Sequence, residues 1–358
     1  MRIELQKRAN ASPLYAFLSP IFALLLMMVA GVIMFSILGK NPFQALYTYF
    51  IHPLTDSWLR EQIIIKATPL IIIAVGLSVC FRSANWNIGA EGQYLIGGLF
   101  GSIIPVYFNT WESGLVLPLM IILGMIGGAL YGAIPAILKS RFGTNEILTS
   151  LMLVYVAQQL VDWTVRSPWR DPKGMGFPGT KPFNDSAILP DMWAGGDAHM
   201  GAIFAVICAV AVWFMMSKTM RGFEITLVGD SPRAGRFAGF DAKKTTLLVF
   251  VISGGLAGLA GISEVSGSVE KLDDKLSLGY GFAAIIVVFL GRLNPLGILL
   301  AGLILALSYI GGEEAQISMG ISDRATRVFQ GLLLFFVLAC DTLINYRIRF
   351  VRSLSGVA

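Results

Sequence analysis

The chain has 358 residues, of which 55% are hydrophobic and only 14% charged, against about 25% charged in soluble globular proteins. Apolar runs of about 18 residues or more recur, each long enough to cross a hydrocarbon layer of ~30 Å, so the composition excludes a soluble enzyme and predicts an all-α polytopic membrane protein. The net charge of +5 comes from Lys and Arg in short loops beside those runs, which reads as topology rather than nucleic-acid binding.

In chain order, about ten membrane segments are predicted, at residues 20–38, 62–81, 88–108, 115–138, 146–164, 200–217, 246–267, 280–291, 296–310 and 325–341. A short amino-terminal stretch, 1–19, carries Arg2, Lys7 and Arg8. The run after it is too long for a signal-peptide core and has no convincing cleavage site, so it reads as a retained first helix. With that terminus inside, Arg82, Lys139, Arg141, Lys218, Arg221, Arg233, Arg236, Lys243, Lys244, Arg292, Arg347, Arg349 and Arg352 fall on the inner side, which favours N-in, C-in. The chain is expected to form a single transmembrane domain over 1–358.

Two outer loops are long. Lys40 to Arg60 carries His52 and aromatics, and 165–200 contains SPWRDPKGMGFPGTKPFNDS. A loop of that length either covers a pore mouth or meets an extracytoplasmic partner, or it is a plain surface loop. Lys271, Asp273, Asp274 and Lys275 read as a solvated outer turn, as do Glu313 and Glu314. Glycine pairs four apart (Gly97/Gly101, Gly124/Gly128, Gly128/Gly132, Gly254/Gly258) and Gly297/Ala301 predict close helix approach. Cys80, Cys208 and Cys340 lie in apolar runs without metal or redox spacing and read as small buried groups. RSANWNIGAEGQYLIGGLFG and GRLNPLGILLAGLILA each follow an Arg with Asn, a break and a Gly-rich run, which points to an internal duplication.

Catalytic constellations are missing. The chain has no GxxxxGK[ST], no HExxH, no completed GxSxG, and no Cys/His/Asp set within a span. No catalytic or metal-binding residues are expected, and no cofactor in this chain.

Three stretches carry chemistry. In WNIGAEGQYLIGG, Asn87 would cap the third span and Glu91 would lie in its first turns near the inner face and Arg82; alternatively Asn87, Glu91 and Gln93 face a translocation path at a broken helix. In the fifth span, Tyr155, Gln158, Gln159 and Asp162 recur at helical spacing, where Tyr would stack on a ring and the amides and carboxylate would bond hydroxyls. The bland reading is a helix end at the interface. At its other end Asn145 and Glu146 read as a structural helix start. In the inner segment 218–245, Ser231 is an N-cap and Pro232 a first helical residue; Arg233 to Ala238 would make a turn or two, ended by Gly239 in left-handed geometry. That is either a helix that plugs into another protein or an ordinary basic loop.

The run EITLVGDSPRAGRFAGFDAKKTTLLVFVISGGLAGLAG resembles the coupling segment of ABC-importer permeases, in the branch that serves simple sugars, nucleosides and branched-chain amino acids. ANWNIGAEGQ and GTNEILTSLMLVYVA are similar to signatures of nucleoside-type permeases that work with basic-membrane-protein lipoprotein receptors. The resemblance covers Ile63 to about Leu343. It implies a multi-pass protein of the bacterial inner membrane that imports a nucleoside or simple sugar. It assigns ATP and Mg to a partner ATPase subunit, solute delivery to an extracytoplasmic binding lipoprotein, and the other half of the pore to a homologous permease or a second copy. ATPase coupling would fall on Ser231, Pro232, Arg233, Ala234, Gly235, Arg236, Phe237, Ala238 and Gly239. The family pattern has alanine where this chain has Gly235, which would loosen the coupling helix. The rival functions are the same role for another small polar solute, such as an amino acid, and an ion-coupled secondary transporter. The second would want a paired carboxylate and basic residue near mid-span, for which Glu91 comes nearest.

Overall fold

The computed structural model describes residues 2–7 and 13–351; residues 1, 8–12 and 352–358, which include Arg8 and Arg352 of the inner-side set, lie outside the described residues. Strand β1 (Arg2–Lys7) leads into α1 (Pro13–Ile37), α2 (Pro42–Phe50), α3 (His52–Thr55), α4 (Ser57–Arg82), α5 (Ala90–Gly101) and α6 (Ile103–Tyr107). Then come α7 (Val116–Phe142), α8 (Glu146–Arg166), α9 (Gly201–Lys218), α10 (Met220–Asp230), α11 (Pro232–Phe237) and α12 (Ala242–Glu264). The chain closes with α13 (Tyr280–Leu290), α14 (Pro295–Met319), α15 (Asp323–Asn345) and β2 (Tyr346–Val351).

Helices lie at the positions of the predicted segments. Among the described residues, five are both long and apolar enough to cross a membrane: α4, α7, α9, α12 with its continuation to Val269, and α14. Two predicted segments are not full-length spans. Segment 88–108 breaks at Ser102 into α5 and α6, and segment 280–291 is α13 alone. At 1.5 Å per residue, α5 is about 18 Å long and α13 about 17 Å, short of the ~30 Å hydrocarbon layer. Their apolarity reflects burial against protein: nearly every residue of α5 is buried. Glu313 and Glu314 lie inside α14, not in a solvated turn. A further departure from all-helical structure is a two-stranded antiparallel ladder between the chain ends, with Arg2 opposite Val351. RIELQK and YRIRFV both alternate polar and apolar residues, the period of a strand.

Two compact units divide the chain: residues 57–306 form one, and residues 1–56 with 307–358 the other. In the smaller, Met27, Phe35, Ala45, Tyr49, Ala315, Ile321 and Phe329 make a buried core. The Tyr49 and Phe329 rings meet edge to face at 4.8 Å. In the larger, α5, α7 and α12 cross at glycines: a Cβ on Gly128 would run into the Gly254 carbonyl, and one on Gly97 into the Gly258 backbone. Backbones touch there without intervening side chains, as the four-residue glycine spacing predicts.

Candidate functional site

The segment between α4 and α5 is bonded through its polar side chains to α7 and α12 of the larger unit. Asn85 accepts from the Lys139 ammonium at 2.8 Å and from Thr246 Oγ1 at 3.3 Å. Lys139 also pairs with Glu146 at 2.6 Å, beside the α8 start that Asn145 caps. Asn87 and Gln93 bond reciprocally through their amides, at 2.9 and 3.0 Å, and Asn87 reaches Ser253 of α12 at 3.1 Å. Asn87 therefore does not cap α5; its N-cap is Gly89, with no side-chain cap bond. Glu91 is fully buried and distant from the role expected beside Arg82, which instead donates to the Leu293 carbonyl at 3.1 Å. The Glu91 carboxylate accepts from the Gly279 N–H at 2.9 Å, the Gly281 N–H at 2.6 Å and the Ser277 hydroxyl at 3.0 Å. It is a side-chain cap for α13 supplied by a different helix, placed where the helix dipole favours a negative charge. The two breaks singled out by their Arg-Asn pattern also meet: Phe81 stacks on Phe289 at 5.7 Å, and Trp86 lies 6.4 Å from the same ring.

On α8 the four predicted residues separate. Gln158 turns inward and donates to Ser277 Oγ at 3.0 Å, so it joins Glu91 through that hydroxyl. Tyr155 is 58% exposed, Gln159 is exposed and Asp162 half-buried, with Asp162 paired to Arg166 at 2.6 Å. Arg166 also holds Asp274 at 2.9 Å.

In segment 218–245 the turn takes the form its residues dictate. Ser231 Oγ accepts from the Ala234 N–H at 3.4 Å, Pro232 opens α11, and Gly239 has φ +85°. Gly235 is buried, and a Cβ there would lie 3.1 Å from Val228 Cγ2; the glycine lets α11 sit close on α10. Arg233, Ala234, Arg236 and Ala238 are exposed, and Phe237 is 94% exposed. The helix α10 before it was not expected from the sequence. Its Glu224 pairs with Arg221 at 2.7 Å and accepts from Thr245 of α12 at 2.8 Å.

A second buried polar group, missed in the sequence, lies where α4, α5, α12 and α13 meet. Tyr94 and Tyr280 pack edge to face at 6.0 Å and 81°, and the Lys66 ammonium stands 5.8 Å from the Tyr280 ring centre. Lys66 acts electrostatically on Glu264, which the Tyr280 and Ser268 hydroxyls also approach. Glu264, Tyr94 and Ser263 are buried, yet Glu264 Oε2, Tyr94 Oη and Ser263 Oγ have no hydrogen-bond partner. The available signal was a lone carboxylate and a lone ammonium, each inside an apolar run. Among the described residues no cluster of His, Cys, Asp or Glu has the makings of a metal site.

The 167–200 loop packs onto this end of the unit. Glu61 Oε1 accepts from Trp193 Nε1 at 3.2 Å, and Asp197 accepts from Trp58 Nε1 at 2.9 Å. His199 Nδ1 accepts from the Gly201 N–H at 3.1 Å, so the ring proton is on Nε2, facing Ser268 Oγ at 3.3 Å. Burial holds the His199 imidazole down at about 4, against a smaller opposing effect of Asp191.

Among the described residues, five helices long and apolar enough to cross a membrane fit a multi-pass membrane protein. The chain belongs to the family described as branched-chain amino acid transport system / permease component, which it matches over residues 59–338. It is 33% identical to the glucose ABC transporter permease protein TsgB13 of Haloferax volcanii, over 97% of this chain and 94% of that one. It is 28% identical to the guanosine ABC transporter permease protein NupP of Bacillus subtilis, over 93% and 95%. It is 30% identical to the nucleoside ABC transporter permease protein NupB of Lactococcus lactis, over 89% and 90%. No solved structure matches the chain significantly.

Proposed function

We propose that this chain is the permease subunit of an ABC importer that carries a nucleoside or simple sugar, chemically unchanged, across the bacterial inner membrane. Its two units work as one permease domain; the family match runs through both. ATP and Mg²⁺ belong to a partner ATPase, solute arrives on an extracytoplasmic binding lipoprotein, and a homologous permease or second copy completes the pore. In the larger unit, α11 faces the ATPase side. Glucose, guanosine and nucleosides, the solutes in the relatives' names, share a hydroxylated sugar ring, which favours that class over an amino acid.

The observation that carries this reading is α11. Its caps make it a rigid knob, and its Phe237, Arg233 and Arg236 are exposed. An exposed aromatic flanked by two guanidiniums is an anchor for a protein groove. Reversing both charges (Arg233→Glu with Arg236→Glu) in the assembled transporter is expected to lower uptake and receptor-stimulated ATP hydrolysis at least tenfold, with an unchanged melting temperature. A charge-reversed transporter that couples normally overturns the assignment.

Lys66 and Glu264, a base and an acid that interact electrostatically, favour a second reading, because an ion-coupled carrier would want an acid and a base inside the membrane. Uptake that survives removal of the ATPase subunit would select it.

A further inference from the structure

We propose that Glu264, Tyr94, Tyr280 and Lys66 form the binding site for the hydroxylated ring of a neutral solute within the translocation path; the proposal rests on the importer function above. Two polar atoms here are unmet: Glu264 Oε2 and Tyr94 Oη. Unmet buried polar groups are rare in native proteins because each forfeits its hydrogen bonds to water. Glu91 is the internal contrast. Its carboxylate takes three donors from the protein itself and so has a structural duty, whereas Glu264 keeps an acceptor oxygen in reserve.

The remaining features fit a sugar ring. A single acid and a single base stand here, so the site has no cluster of like charges that would select a charged solute. Glu264 accepts from hydroxyls, and Lys66 and Tyr94 donate to ring or hydroxyl oxygens. Two tyrosines set edge to face at 6.0 Å offer an aromatic wall for the apolar face of the ring. Lys66 is half-buried, so the cluster keeps one side toward the surface. Helix α12 ends at Glu264, and a π-helical turn, Val265–Val269, follows, closed by Glu270 at φ +57°. Such turns cluster at functional sites because they interrupt a helix's own bonding. Gly267 in that turn admits the ring of His199, whose loop covers this end. By helical rise, Glu264 lies about 33 Å along α12 from Ala242, and Lys66 about 14 Å along α4 from Ser57. The site therefore sits near the end remote from α11, where arriving solute would enter.

The test uses the whole transporter with its receptor in membrane vesicles and measures uptake of radiolabelled guanosine and D-glucose. For whichever is carried, Glu264→Gln and Tyr94→Phe are expected to lower uptake at least tenfold. Tyr94→Phe removes only a hydroxyl without a partner, so its melting temperature should stay within about 2 °C of wild type, and it decides the matter if Glu264→Gln fails to fold. Ser268→Cys, at an exposed position beside Glu264 and in a chain whose other cysteines are replaced by alanine, should react with a water-soluble thiol reagent at least fivefold more slowly when the carried solute is present. Uptake by Tyr94→Phe within twofold of wild type, or labelling indifferent to solute, overturns the site while leaving the importer function standing. A wild-type transporter that takes up neither solute overturns the solute class and the site with it.

Discussion

Glu91 is expected to act on stability rather than on solute affinity. Glu91→Gln keeps the side-chain shape but removes the charge and one acceptor oxygen. Three donors converge on the carboxylate, and the amide oxygen has room for two, so one buried donor loses its partner. That costs about 1–3 kcal/mol, and removing a negative charge from a helix start adds about 0.3–2 kcal/mol. The sum centres on roughly 3 kcal/mol, and Glu91→Ala, which strands all three donors, should cost about 5 kcal/mol. The helix approach at this point supplies an internal check. A Cβ on Gly281 would run into the Glu91 backbone nitrogen, so Gly281→Ala should push α13 away from its cap. In that background Glu91→Gln should lose at least about 1 kcal/mol of its effect, because residues sharing one contact are not additive. Equilibrium unfolding of the purified protein in mixed detergent micelles measures all four variants. A Glu91→Gln protein within about 0.5 kcal/mol of wild type, or strictly additive effects, would refute the capping role.

Two further perturbations separate packing from titration. Gly128→Val should destabilise by about 3 kcal/mol, since even a Cβ meets the Gly254 carbonyl, whereas Gly114→Ala, with nothing within 4 Å, should stay within about 0.5 kcal/mol in the same unfolding assay. His199 should make the loop packing acid-sensitive: its folded value of about 4 lies below the ordinary 6.5, so its contribution is complete above about pH 6.5 and falls away toward pH 4, by about 3 kcal/mol. His199→Gln should flatten the slope of melting temperature between pH 7.5 and 4.5, and a slope unaltered by that substitution would count against it.

What could be read from the sequence was what its near neighbours decide. The α11 turn is built from contacts three to five residues apart, Ser231 to Ala234 and Phe240 to Gly235, so its caps were visible in SPRAGRFAG. The glycine crossings were visible for the same reason, because four-residue spacing marks one face of one helix. Glu91 shows the limit. Its polarity and the break before it were plain, but its partners lie 186 to 190 residues away, and nothing local distinguishes a cap for α13 from a pore residue. The half-length of α5 and α13 was hidden by burial, since hydropathy measures how apolar the surroundings are and not how far a helix reaches. Tyr155 and Gln158 make the complementary point: three residues apart on α8, one is exposed and the other is bonded to Ser277. Helical spacing placed them near one another, and only the neighbouring loop separated their surroundings.

Helix α12 connects the Asn85 to Gln93 network, the glycine crossings and the Glu264 cluster. At its start Thr245 binds Glu224 of α10, and Thr246 and Ser253 bind Asn85 and Asn87. At its middle its backbone lies directly on α7 and α5, and at its end stands Glu264. Close packing of this kind has no side-chain layer to absorb a shear, so α12 cannot slide without separating backbone from backbone. A displacement entering by the proposed coupling through α11 and α10 would therefore be confined to tilting α12 together with α5 and α7, or to bending where the helix ceases to be regular. The regular helix stops at Glu264, where the π-turn begins. The polar network at Asn85 to Gln93 would then hold the end of α12 near α11 in register, and the freedom to rearrange would fall on the carboxylate with an unmet oxygen.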